Sequence, residues 1–541
     1  MPTVNLNKKE FEKLVGKKLP LEELKDRISM LGTDLEKIEG NDIIVEVFPN
    51  RPDMLSEQGF ARAFSSFIGV KKGLQEYKAK KSNYKVIIEK NVKEVRPFTT
   101  CAVVKNLKLD DEKIKSIIQI QEKLHIGFGR NRRKVAIGIY PLEKIKFPVK
   151  FLAKKPEDIK FKPLEMSAIL SGREILEKHP AGREYRHLLE NKKMYPVFID
   201  ANDNVLSMPP IINSDEIGKV TEDTRDVFIE CSGFDYNALS KCMNIIVTAL
   251  ADMEGDIYSV ELKYENEKII SPDLKPEEMN LDLDYANKVL GLKLKENEAK
   301  ELLERMGYGY NKGEVKIPAY RADILHQIDL VEDIAIAYGY ENFKEEIPNV
   351  STVAKESPRA KFNRKVSEVL IGLGLLECSG LSLSNEEDLN KKMNVKNKLV
   401  KVESPVNADY DTLRNSILPS LLNILSENKR YEYPQDIFEI GKIFDDIKDK
   451  DNLGMIITGN FTEIKQILDA LFSALAIKYE IKEEEHGSFI SGRCGKIIIN
   501  DKEIGVIGEI HPRVLINFRL EMCCSGLEID INELFEIIKN D

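Results

Sequence analysis

The sequence predicts an α+β chain built from several domains. Three observations lead there. Apolar residues recur with a helical period in some stretches and alternate like strands in others. The length of 541 residues suits about three or four domains of ordinary size. Toward the C-terminus short apolar strands predominate between helices, the pattern of an antiparallel sheet backed by helices.

Composition narrows the class. Hydrophobic residues make up 42% and charged residues 32%, with no low-complexity tract, so a folded globular chain is expected. A net charge of −10 argues against non-specific coating of nucleic acid and leaves only local basic patches for such contact. The cysteines (Cys101, Cys231, Cys242, Cys378, Cys494, Cys523 and Cys524) show no CxxC or Cys/His spacing and read as reduced, mostly buried thiols. The N-terminus, MPTVNLNKKEFEKL, lacks a signal pattern, and no apolar run approaches the ~18 residues of a membrane span. A soluble, cytoplasmic chain without a membrane partner is expected.

In chain order, residues 1–80 read as a small α+β module. A strand at Thr3–Leu6 precedes a helix at Lys8–Val15 and a second at Leu21–Leu31, apolar at 21, 24, 28 and 31. Another strand, Ile43–Phe48, ends at Pro49-Asn50-Arg51-Pro52, and Asp53 or Ser56 caps a helix running toward Ile68. Residues 81–265 mix strands and helices. Here a helix at Glu112–Leu124 is followed by HIGFGRNRRKVAIGIY, read as a hairpin with a basic tip of Arg130, Arg132, Arg133 and Lys134. Such a tip could meet phosphates or simply be solvated. Strand-like runs at Val197–Asp200 and Val227–Cys231 flank LSMPPIINS, where Pro209-Pro210 restricts the backbone, and a helix at Tyr236–Met253 follows. If those strands pair, Ser207, Asn213 and Ser214 lie opposite Glu230 and Ser232, as a small-ligand site or as ordinary turn and capping residues.

Residues 270–346 give helices stopped at Gly291 and Gly307, a strand at Glu314–Ile317 and an acidic helix from Gln327, read together as a helix-turn-helix-like module. On that helix Asp329, Glu332 and Asp333 stand at i, i+3 and i+4, and Asp323 can join them from the preceding turn. Opposite lies a stripe of Ile328, Val331, Ile334, Ala335 and Tyr338. Oxygen-only ligands suit Mg²⁺, although acids in a first turn also stabilise the helix dipole with no metal. Those carboxylates would repel DNA phosphate, so no DNA partner is expected. Residues 350–541 give a helix at Arg359–Leu370, a strand at Glu377–Ser384, a helix at Ser416–Asn428 with Leu418, Leu421, Leu422 and Leu425 inward, and then mostly strands.

Eight phrases in order, NRPDMLS (50–56), GRNRRKVAIGIY (129–140), HPAGREY (179–185), VLSMPPIINS (205–214), PAYRADI…DLVED (318–333), TLRNSILPSLL (412–422), FEIGKIF (438–444) and GEIHP (508–512), resemble the β subunit of phenylalanyl-tRNA synthetase in its archaeal and eukaryotic form. That resemblance implies an α₂β₂ ligase whose α subunit joins phenylalanine to ATP and then to tRNA(Phe). It implies an editing domain at 81–265 that hydrolyses mischarged Tyr-tRNA(Phe), with Ser207, Asn213 and Glu230 binding the substrate, or alternatively a non-editing scaffold and tRNA-binding subunit. It also implies Mg²⁺ shared with the α subunit at Asp323, Asp329, Glu332 and Asp333. The last domain would be a degenerate class II synthetase fold without catalytic residues. Phe518-Arg519-Leu520-Glu521 spells the F-R-x-E of a working site, but only twenty residues follow Glu521 and none forms the ATP-binding G-x-G-x-x-x-R.

Overall fold

In the computed structural model, which describes residues 2–540, the chain forms two compact units, Met1–Glu346 and Ile347–Asp541. Both mix helices with sheets, as the two periodicities require.

The first unit opens with a sheet of Thr3–Asn7, Asp42–Glu46 and Asp34–Glu39, the last an unforeseen strand. Helices Lys8–Val15, Leu21–Met30 and Glu57–Phe67 follow the expected pattern. Ser56 rather than Asp53 caps the third, its Oγ accepting the Gly59 N–H at 3.0 Å. One main core takes residues from Val4 to Ala337 and so crosses the expected boundaries at 80 and 265–270.

Two further sheets face each other in this unit. A four-stranded antiparallel sheet contains Phe98–Lys105, Val135–Pro141 and, between them, Val227–Gly233. A seven-stranded mixed sheet contains Tyr195–Ile199, Val205–Met208 and Ile212–Asn213. Strands 195–199 and 227–233 therefore belong to different sheets and do not pair. Face-to-face packing brings their residues together, because strand side chains alternate between faces. Phe228 joins Tyr140, Phe151 and Phe198 in the core between the sheets, while Ile229 and Cys231 point into the main core.

HIGFGRNRRKVAIGIY is not a hairpin. The helix Asp111–Ile126 extends through His125, and Arg130, Asn131 and Arg132 take left-handed φ of 50°, 53° and 63° in a tight turn leading into Val135–Pro141. Consecutive left-handed residues other than glycine are rarely anticipated from sequence. Residues 277–340 hold helices Leu283–Leu290, Glu296–Arg305 and Gln327–Tyr338 beside a three-stranded sheet.

The second unit is built on a seven-stranded sheet, antiparallel throughout except for the short edge pair Leu376–Glu377 with Ile437–Phe438. The strand expected at 377–384 is two fragments, Leu376–Glu377 and Leu383–Ser384, in separate sheets. Helices Pro358–Gly372, Phe461–Ala474 and Ile531–Asn540 contribute to the core on one sheet face. Helix Leu418–Glu427 buries Leu418, Leu421, Leu422 and Leu425, each burial contributing about 1.5–3 kcal/mol. Arg519 and Glu521 are exposed in the turn after helix Pro512–Asn517.

Candidate functional site

The largest described cavity, about 810 Å³, lies in the first unit between helix 111–126, strand 135–141 and the segment 205–218. Ser207, Asn213 and Glu230 all line it. Ser207 and Asn213 are direct cross-strand partners. Glu230 reaches the cavity from the other sheet, opposite Gly138, where an added Cβ would meet the Tyr140 hydroxyl at 2.0 Å and Glu230 Oε1 at 2.6 Å. Glycine at 138 leaves room for both polar groups.

Tyr140 joins the three predicted residues. Its hydroxyl lies 3.1 Å from Glu230 Oε1, to which it donates, and 3.4 Å from Asn213 Oδ1. Burial raises the Glu230 carboxyl to about 8, against the opposing hydrogen bond from Tyr140 and the charge of Arg96. Ser207 Oγ, Glu230 Oε2, His125 Nδ1 and Arg132 Nε are buried with no hydrogen-bond partner among the described residues. All four residues line this cavity. Buried polar atoms are nearly always paired, so these four leave the cavity with unmet hydrogen-bonding capacity.

His125 and Arg132 were not anticipated as site residues. His125 Nε2 accepts the Ile137 N–H at 2.8 Å, which places the ring proton on Nδ1. Burial and the neighbouring Arg132 and Arg96 charges hold the ring neutral. Arg132, expected at a basic tip, instead donates to the Ile211 carbonyl at 2.7 Å and the Pro210 carbonyl at 3.3 Å. The only signal for this in the sequence was the dense run of His, Gly and Arg at 125–133.

The acidic segment differs from its prediction. Arg321, fully buried, pairs bidentately with Asp323 at 2.8 and 2.7 Å and reaches Asp333 Oδ2 at 2.7 Å. Tyr308 also donates to that Asp333 oxygen. Asp329 Oδ2 accepts the Leu325 and His326 N–H groups, both at 2.8 Å, at the start of the helix. Asp333 is buried rather than on a wet face, while Ile328 of the supposed apolar stripe is 39% exposed. Glu332 is exposed; its carboxyl is raised by partial burial and by Asp333, Asp329 and Asp323. Among the described residues no group of three or more His, Cys, Asp or Glu is placed to hold a metal ion. As arranged, both Asp323 oxygens accept from the Arg321 guanidinium. Arg51 pairs with Asp53 in the same Arg-x-Asp manner, at 2.9 Å twice, and its charge is felt by Asp323.

Comparison with known proteins adds to this geometry. The family model described as the tRNA synthetase B5 domain matches residues 279–340, and that described as the phenylalanyl tRNA synthetase beta chain CLM domain matches 344–531. The chain is 40% identical over 555 residues to the phenylalanine–tRNA ligase beta subunit of Pyrococcus horikoshii, covering 99% of this chain and 100% of that one. The corresponding protein of Archaeoglobus fulgidus is also 40% identical, over 547 residues and 99% of each chain. The crystal structure of an N-terminal fragment of the Pyrococcus horikoshii beta subunit superposes with a TM-score of 0.60 at 42% identity, covering 62% of this chain and 99% of that fragment.

Proposed function

The chain belongs to the phenylalanine–tRNA ligase β-subunit family, and from that premise we propose that it partners an α subunit in an α₂β₂ ligase and edits Tyr-tRNA(Phe) in the 810 Å³ cavity. ATP, phenylalanine and the charging reaction belong to the α subunit in this reading, and residues 270–346 act as a helix-turn-helix-like module.

One observation carries the editing assignment: Ser207 Oγ and Glu230 Oε2, both buried without a protein partner, line one partly apolar cavity, and the Tyr140 hydroxyl donates to the other Glu230 oxygen. A tyrosyl ring brings a hydroxyl that these groups can hydrogen-bond. A phenylalanyl ring would bury them unpaired, and such a site rejects the analogue lacking the hydroxyl by far more than a hydrophobic pocket can. Asn213, adjacent through Tyr140, orients the phenol-binding groups. No Ser-His-Asp arrangement adjoins Ser207, so hydrolysis uses an oriented water. His125 Nδ1–H and Arg132 Nε–H are donors available to the ester carbonyl as negative charge develops there.

Discharge of Tyr-tRNA(Phe) by the purified heterotetramer tests this. Asn213→Ala and Glu230→Ala are expected to slow deacylation by about tenfold or more while phenylalanylation persists. Discharge no faster than in buffer would leave a non-editing scaffold. In the assembled complex Mg²⁺ is shared with the α subunit at Asp323, Asp329, Glu332 and Asp333, with Glu332 as the open carboxylate. Asp329→Ala with Glu332→Ala would then weaken α–β association in Mg²⁺, and an unchanged complex on gel filtration refutes it.

A further inference from the structure

The second unit holds a cavity that neither charging nor editing uses. It measures about 430 Å³ and lies on the sheet face away from helices 358–372, 461–474 and 531–540. That other face carries Leu453, Ile507, Leu527 and Ile529. On the cavity face the alternating positions turn polar: Asn452 sits opposite Asp530, and Glu528 opposite Val506.

Glu528 forms the floor. It is 8% exposed and accepts from Ser416 Oγ at 2.5 Å, Asn452 Nδ2 at 2.8 Å and the Ile417 N–H at 3.2 Å. Asn452 is likewise 8% exposed; having given its N–H to Glu528, it keeps Oδ1 without a donor among the described residues. Asn415 Oδ1, on the same lining, is a second buried acceptor without a partner. Four carboxyl groups, of Glu484, Glu503, Glu528 and Asp530, meet only two ammonium groups. Of these, Lys496 is held by Glu484 and Glu503 at 3.1 and 2.9 Å, and Lys450 leans to Asp445 at 3.7 Å. The Asn452 and Asn415 oxygens therefore lack donors, and buried acceptors left unpaired are costly.

Two features select the occupant. Among the described residues no group of three or more His, Cys, Asp or Glu is disposed to hold a metal ion, which disfavours a bare divalent cation. Met393, Leu418, Ile443 and Val506 supply an apolar wall beside the acceptors. We propose that this cavity binds a small molecule carrying a primary ammonium group on an apolar body, its N–H groups satisfying Asn452 and Asn415 beside the Glu528 carboxyl. A free amine and an amino acid share that chemistry.

Saturation-transfer NMR on the full chain, with isoamylamine, L-leucine and isocaproate each at about 1 mM, separates the possibilities. Saturation of the amine alone, or of the amine and the amino acid, with none on the acid is the expected result and tells which source is taken. Equal signals from all three, or none at all, overturn the proposal without need of any variant. Asn452→Leu and, separately, Asn415→Leu, each checked by its melting curve, should weaken amine binding by about tenfold, whereas Glu230→Gln in the other unit should not. A signal that survives both leucine variants, or is lost in Glu230→Gln, places the ligand elsewhere and equally overturns it.

Discussion

Glu230 holds a proton that the unfolded chain would have released. Burial lifts its carboxyl from the ordinary 4.5 to about 8, so between those values the folded state binds more protons than the unfolded one. The stabilisation is complete at low pH and is lost as pH rises toward about 8. Glu230→Gln has no such proton to lose. Its melting temperature relative to the parent should therefore climb with pH across this window, and a constant difference in differential scanning fluorimetry would contradict the burial argument. At the residue scale the site was partly legible: Ser207, Asn213 and Glu230 do line one cavity. Tyr140, whose hydroxyl links Asn213 and Glu230, was hidden because an apolar-looking strand, VAIGIYP, gives no sign that its tyrosine faces a carboxylate.

The segment 318–340 teaches its lesson at the scale of an element. Helical spacing correctly placed Asp329, Glu332 and Asp333 near one another, yet spacing is blind to the arginine two residues before Asp323. Arg321 gathers Asp323 and Asp333 into a buried ion triad, and removing one partner of such a group strands uncompensated charge. Arg321→Leu should destabilise the first unit by about 3–5 kcal/mol in chemical denaturation, and Asp333→Asn by less. Acid should weaken the same element. Burial pushes the Asp323 carboxyl up, but the Arg321 charge and hydrogen bonds outweigh it and hold the group below 3.8. Its stabilisation is thus present above about that pH and is lost as pH falls through the depressed value.

For the whole molecule, the two units meet in the chain at a run from 345 to 357 that is exposed throughout, with Ile347 97% and Val353 94% exposed. Limited proteolysis should cut there first and leave two resistant fragments of about 38 and 22 kDa on ordinary residue masses; early cuts inside 98–141 instead would speak against two independent cores. Composition, periodicity and eight ordered phrases by themselves determined the family, the mixed α and β content and most helix ends, because these depend on local spacing, caps and glycine stops. Tertiary structure alone decided that strands 195–199 and 227–233 lie in facing sheets, that the 129–134 turn aims Arg132 at the Pro210 and Ile211 carbonyls, and that Arg321 pairs with both Asp323 and Asp333. Each of these depends on which distant groups share a desolvated space, where one unpaired charge outweighs any local preference.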